Sequence, residues 1–199
     1  MSDPRTPLFE AVRPLLPQGY DPAIIAALHA FADVAGIAKE AAPQPSGVTL
    51  PDDYWPLLAM IESAGRPYVK AATSSGSGLY QFLKATWISE GGKWGPDASK
   101  AFGGLKPSVS EQTIRAKTFT AKNAVTLLRA GIPINKASLY GAHFLGAGMA
   151  AKVIGADTKA RADLIAGEAA TKANESILRG KTVGEFLTWL NKKTGDWAR

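Results

Sequence analysis

The 199-residue chain contains no cysteine. Disulfides and thiolate metal sites are therefore excluded. It has only two histidines, His29 and His143, with no carboxylates clustered beside them. That is a poor basis for a metal site, so neither metal nor cofactor is expected. No run of roughly 18 apolar residues occurs, and no transmembrane helix is expected. The start, Met1-Ser2-Asp3-Pro4-Arg5-Thr6-Pro7, has no basic stretch leading into an apolar run. No signal peptide is expected from it. Sustained alternation of β-branched residues is missing too, as is any fixed-period repeat.

What is present is enough apolar material for a core. Hydrophobic residues make up 46% and charged residues 20%, the balance of a folded soluble domain rather than a disordered chain. The formal net charge is +6. A basic surface steers toward anionic polymers, of which nucleic acid and the bacterial cell surface are two. A solvated lysine excess explains the same number. Aromatic and basic residues do not interleave, and no DNA-binding motif is visible, which disfavours nucleic acid as a partner.

Helical periodicity dominates. Asp21-Pro22 reads as a cap followed by proline at the first helical position, with Ile24, Ile25, Leu28, Phe31, Ala32 and Ala35 at helical spacing. Gly36 ends or loosens that helix. Pro43, Pro45, Ser46 and Gly47 then mark a linker. We read residues 1–47 as a short helical lead and linker, and 48–199 as a second domain. A helix is expected from Pro51-Asp52-Asp53 through Trp55, Leu58 and Ile61, with Pro67 beyond its end. Pro56 falls in its first turn or two, where proline is tolerated. Leu79 to Ser89 is expected to be helical, with Phe82, Leu83 and Trp87 on one face. Residues 91–107 carry five glycines and two prolines and read as irregular. The longest periodic run starts at Ser110-Glu111-Gln112. Asn135 caps a helix through Leu139 and Tyr140, and Thr182-Val183-Gly184-Glu185 is a capping box for a last one. The fold class is all-α, with room for a small hairpin in one glycine-rich loop.

One carboxyl stands out. In Ala59-Met60-Ile61-Glu62-Ser63, Glu62 sits against apolar Met60 and Ile61, and at least half burial is expected. A buried carboxyl holds its proton longer, because desolvation disfavours the charged form. That suits a general acid near neutral pH. A serine- and glycine-rich loop follows, Thr73-Ser74-Ser75-Gly76-Ser77, and then Gly78-Leu79-Tyr80-Gln81-Phe82.

The order Glu62-Ser63, then Gly78-Leu79-Tyr80-Gln81, resembles the lytic transglycosylase family of lysozyme-like enzymes. Tyrosine stands where that family usually has methionine. In place of the family's third element, Ala-Tyr-Asn-Ala-Gly, the chain has Leu139-Tyr140-Gly141-Ala142-His143-Phe144-Leu145-Gly146. That variant is similar to phage-encoded members. The resemblance covers roughly Leu50 to Lys193. It implies a lysozyme-like catalytic domain that cleaves the β-1,4 bond between N-acetylmuramic acid and N-acetylglucosamine in peptidoglycan. Glu62 would protonate the leaving oxygen, then take a proton from the muramoyl 6-hydroxyl as an anhydro ring closes.

The resemblance places Ser63, Gly78, Leu79, Tyr80, Gln81, Tyr140 and His143 around the saccharide. Each has a plainer reading. Ser63 can end a helix through a side-chain bond. Gly78 can be a turn glycine, Tyr80 a core aromatic, Gln81 a surface amide, and Tyr140 a packed core tyrosine. His143 reads first as a structural hydrogen-bonding residue. Trp94, between Gly92 and Gly95, is the tryptophan marked for sugar stacking.

Hydrolytic glycosidases use two carboxylates about 5 to 9.5 Å apart. Between Ser63 and Ser89 there is no Asp or Glu, whereas goose-type lysozymes carry aspartates in and near this region. That favours a single-glutamate transglycosylase over a muramidase, unless Glu90 or Asp97 returns through the fold. A third reading is a non-catalytic virion structural or DNA-contacting protein. Glycan strands are the expected partner, other virion proteins are further ones, and the expected location is the phage virion or the host cytoplasm before release to the wall.

Overall fold

The computed structural model describes residues 6–15, 22–35 and 49–199. Backbone contacts divide the chain into two units, Met1–Pro43 and Gln44–Arg199. In the first, α1 (Thr6–Val12) runs into a 3-10 turn at Arg13–Leu15, and α2 (Pro22–Val34) follows. The helix read from Ile24 to Ala35 is therefore present. Ala32 is buried within it, while Phe31 is exposed. The Asp21 cap, Gly36 and the linker at 41–47 lie outside the described residues.

The second unit holds nine helices among its described residues. They are α3 (Tyr54–Ser63), α4 (Lys84–Ser89), α5 (Val109–Arg129), α6 (Lys136–Leu145), α7 (Ala147–Gly155), α8 (Ala162–Ala166), α9 (Glu168–Ala173), α10 (Glu175–Leu178) and α11 (Val183–Thr194). In α3, Pro56 occupies the third helical position, where the backbone N–H would lack a helical partner anyway. The helix ends at Ala64 and Gly65, both left-handed, and the Gly65 N–H closes back on the Ala59 carbonyl at 3.1 Å.

Helix α6 is buried nearly all round, from Ala137 through Ala142, and packs against α5, α7 and α11. Its N-terminus is fixed by the expected Asn135 cap, reciprocated by Ser138. At Gly141 a side chain would meet Ile154 Cδ1 at 3.1 Å and Leu190 Cδ1 at 3.4 Å, so α7 and α11 close on α6 here. The Thr182–Glu185 capping box likewise starts α11. Lys136 at the start of α6 reaches Asp53 before α3 at 2.7 Å, tying the two helix starts together.

Two sequence expectations change. Only Lys84–Ser89 of the segment 79–89 is helical. Ser77 and Phe82 exchange both backbone hydrogen bonds, at 3.1 and 3.0 Å, and Gln81 takes φ +48°. Residues 78–81 thus form a hairpin turn, and Leu83 stands exposed while Phe82 and Trp87 are buried. The small hairpin is present as isolated bridges, Lys70 to Ser77 and Ser77 to Phe82. Second, the longest helix begins at Val109, with the Ser108 hydroxyl accepting from the Glu111 N–H. Its buried stripe, Gln112, Ala116, Thr120, Asn123, Ala124 and Leu127, keeps helical spacing.

A chain of ring contacts runs through this unit. It passes from His143 to Phe119, Phe82, Trp87, Phe102 and Trp94, with successive centroids 4.7 to 6.2 Å apart. These are mostly edge-on packings, the arrangement favoured by ring quadrupoles.

Candidate active site

Glu62 lies one residue before the end of α3, with its side chain 18% exposed. The burial is as expected, but its cause is not Met60, which is 61% exposed on another face of the helix. Two of the groups around the carboxyl come from α6. Its Oε1 is 3.9 Å from His143 Nε2, and the Tyr140 hydroxyl is near enough to lower its proton affinity.

These neighbours set the proton affinity. Burial pushes the Glu62 carboxyl up from its ordinary range, and the Tyr140 hydroxyl and the Lys193 ammonium partly pull it back. None of the groups acting on it is a second carboxylate. Burial, aided by the negative Glu62, raises Tyr140 as well, so this phenol remains a donor. His143 is lowered to about 4 by burial, with the Tyr80 backbone opposing the shift. It is neutral near pH 7, and its contact with Glu62 is polar rather than an ion pair. Its ring lies nearly parallel to that of Tyr140, 13° apart.

The Glu62-Ser63 and Gly78-to-Gln81 segments do meet. The Ser63 hydroxyl is buried, 2.9 Å from the Leu79 carbonyl and 3.0 Å from the Ala59 carbonyl. Its single proton is therefore spent inside the protein. Leu79 and Tyr80 are buried, and the Tyr80 hydroxyl lies 3.1 Å from Thr113 Oγ1. Gly78 has φ +78°, and a side chain there would run into Gln112 and Phe102. Gln81 donates to the Gly78 carbonyl at 2.9 Å and the Val69 carbonyl at 3.3 Å. So Glu62, Tyr140 and His143 form the polar centre, and Ser63, Gly78, Leu79, Tyr80 and Gln81 brace the loop behind it.

Sequence reasoning missed three contributors. Gln112 is buried and fully used. Its Oε1 accepts from the Leu79 N–H at 2.9 Å, and its Nε2 donates to the Pro67 and Pro107 carbonyls at 3.0 and 3.1 Å. The signal was its register, four residues before Ala116 on the apolar face. Tyr54 lies eight residues before Glu62, on the same face of α3. It is fully buried, its hydroxyl has no hydrogen-bond partner among the described residues, and burial with Glu62 and Tyr140 raises its pKa. Lys193, near the end of α11, supplies the positive charge.

Glu90 and Asp97 are engaged elsewhere. Glu90 holds Lys122 at 2.8 Å, and Asp97 holds Ser99 and Lys100. Among the described residues no group of three or more His, Asp or Glu is placed to hold a metal, and no helix is long and apolar enough to cross a membrane. Glu62 itself is a single, largely buried carboxyl of raised proton affinity beside the Tyr140 phenol, an arrangement able to exchange a proton. No family model matches the chain, and no curated protein matches it.

Proposed function

We propose that the chain is a peptidoglycan-cleaving glycosidase of the lytic transglycosylase kind, with a lysozyme-like helical catalytic domain. The observation that carries this reading is Glu62, a largely buried carboxyl with a raised proton affinity and no carboxylate among the groups acting on it. A raised pKa favours the protonated carboxyl, the form that donates to the glycosidic oxygen.

In the first step the Glu62 proton passes to the leaving N-acetylglucosamine oxygen as the bond to the muramoyl C1 breaks. The Tyr140 hydroxyl steadies the carboxylate that results. In the second, that carboxylate takes the proton of the muramoyl 6-hydroxyl while its oxygen closes on C1. Glu62 is then protonated again, and no water is consumed. Action on the wall during infection or at host lysis fits the phage-like third motif.

The test is mass spectrometry of muropeptides released from purified cell walls. Anhydro ends, one water lighter than reducing ends, are expected. Reducing ends alone would make the enzyme a muramidase. Glu62→Gln is expected to keep the fold and lower wall clearing about 100- to 10,000-fold, the usual contribution of a general acid. Undiminished clearing by that variant would remove Glu62 from the mechanism.

A further inference from the structure

We infer that a second site, lined by Lys70, Lys84 and Trp94, binds a carboxylate of the peptide stem carried by muramic acid. This rests on the peptidoglycan reading above. The cavity measures about 200 Å³, and Glu62, Tyr140 and His143 do not line it. It has room for an acidic side chain.

Its walls are rich in donors and poor in acceptors. Lys70 spends two of its three N–H bonds on the Ala71 and Ser74 carbonyls, at 3.1 and 3.0 Å, and keeps one. Ser74 Oγ accepts from the Gly76 N–H, and Ser75 Oγ accepts from the Lys84 N–H. Both hydroxyls still have a proton to give. Neither lysine is ion-paired among the described residues, and no carboxylate lines the cavity. Asp97, between the lining residues Pro96 and Ala98, is taken up by Ser99 and Lys100. The partner that satisfies two ammonium groups and two hydroxyl donors is an anion with several lone pairs.

Trp94 decides what carries that anion. Its ring packs edge-on against Phe102, 5.8 Å between centroids, and remains half-buried at the cavity wall. It offers an apolar face to methylene groups next to the charge. An acidic side chain has both parts, whereas inorganic phosphate has only the charge. In peptidoglycan the acidic residues belong to the stem, which hangs by a flexible lactyl and peptide arm from the sugar that Glu62 would cleave beside.

The test uses the full chain carrying Glu62→Gln, so that binding is read without turnover. N-acetylmuramoyl-L-alanyl-D-glutamate and its isoglutamine counterpart differ by one carboxylate. Each is titrated while the Trp94 indole N–H resonance is followed, assigned with Trp94→Phe. The acid is expected to move that resonance and bind about fivefold tighter than the amide, the scale of one exposed ion pair. Lys84→Ala, an exposed position, is expected to erase the difference. Equal affinities, an unmoved Trp94 signal, or an equal response to inorganic phosphate would overturn the proposal. Loss of clearing in Glu62→Gln is read separately, so either idea can fail alone.

Discussion

The Ser63 hydroxyl donates across 16 residues to the Leu79 carbonyl, at 2.9 Å and away from solvent. This bond fastens the end of the helix that carries Glu62 to the hairpin turn. Ser63→Ala leaves a buried carbonyl short of a partner. We expect a loss of about 1–2 kcal/mol in denaturant unfolding. Turnover should fall more than KM rises, because the neighbouring carboxyl is displaced rather than removed.

Gln112 stands at the junction of three loops. Gln112→Leu keeps the volume but strips the partners from the Leu79 N–H and from the carbonyls of Pro67 and Pro107. A destabilisation of about 3 kcal/mol is expected, at roughly 1 kcal/mol or more per orphaned group. Urea unfolding measures it, and an unchanged midpoint would show that the loops do not depend on this amide.

Tyr54 gives the opposite sign. Its hydroxyl is buried without a partner among the described residues, so removing it relieves a desolvation cost. Tyr54→Phe is expected to stabilise by about 1 kcal/mol, read as a higher Tm. A drop in Tm of several degrees would mean that the hydroxyl holds something in place.

The proton affinity of Glu62 predicts a pH signature. Its folded pKa is raised above the ordinary 4.5. The stabilisation from this group is therefore complete below about 4.5 and is lost as pH rises through the folded value. Glu62→Gln should thus have a higher Tm than the wild type at pH 7, and the gap should close below pH 4.5. His143 works the other way. Lowered from 6.5 to about 4, it makes the fold less stable as pH falls through that window. Both proteins share that slope, so it cancels in the comparison. A gap that does not change with pH would contradict the buried placement of Glu62.

Much of the helical layout was legible because caps and apolar spacing are local. Asn135 and Thr182 begin helices where their side-chain chemistry says they should. The segment from Leu79 was misread because its apolar residues suit a helix as well as a turn. The decision lies in backbone pairing with Ser77, which no local pattern encodes. The burial of Glu62 was legible, but the agents of burial were not. Tyr140 and His143 come from α6, nearly eighty residues on. For the loop motif the sequence allows both saccharide contacts and structural roles. The structure engages the Ser63 hydroxyl, the Leu79 N–H and the Gln81 amide in bonds within the protein, and the second of these depends on Gln112, which no local pattern joins to the loop.

At Gly141 the helix bearing Tyr140 and His143 touches its neighbours through a missing methyl group. With Ile154 Cδ1 at 3.1 Å from where that methyl would sit, adding it obliges something to give by a few tenths of an ångström. A shift of that size, one residue from the phenol, moves Tyr140 and His143 relative to Glu62. The spacing of α6 from α7 and α11 therefore helps set where these two side chains sit, although Gly141 has no side chain of its own.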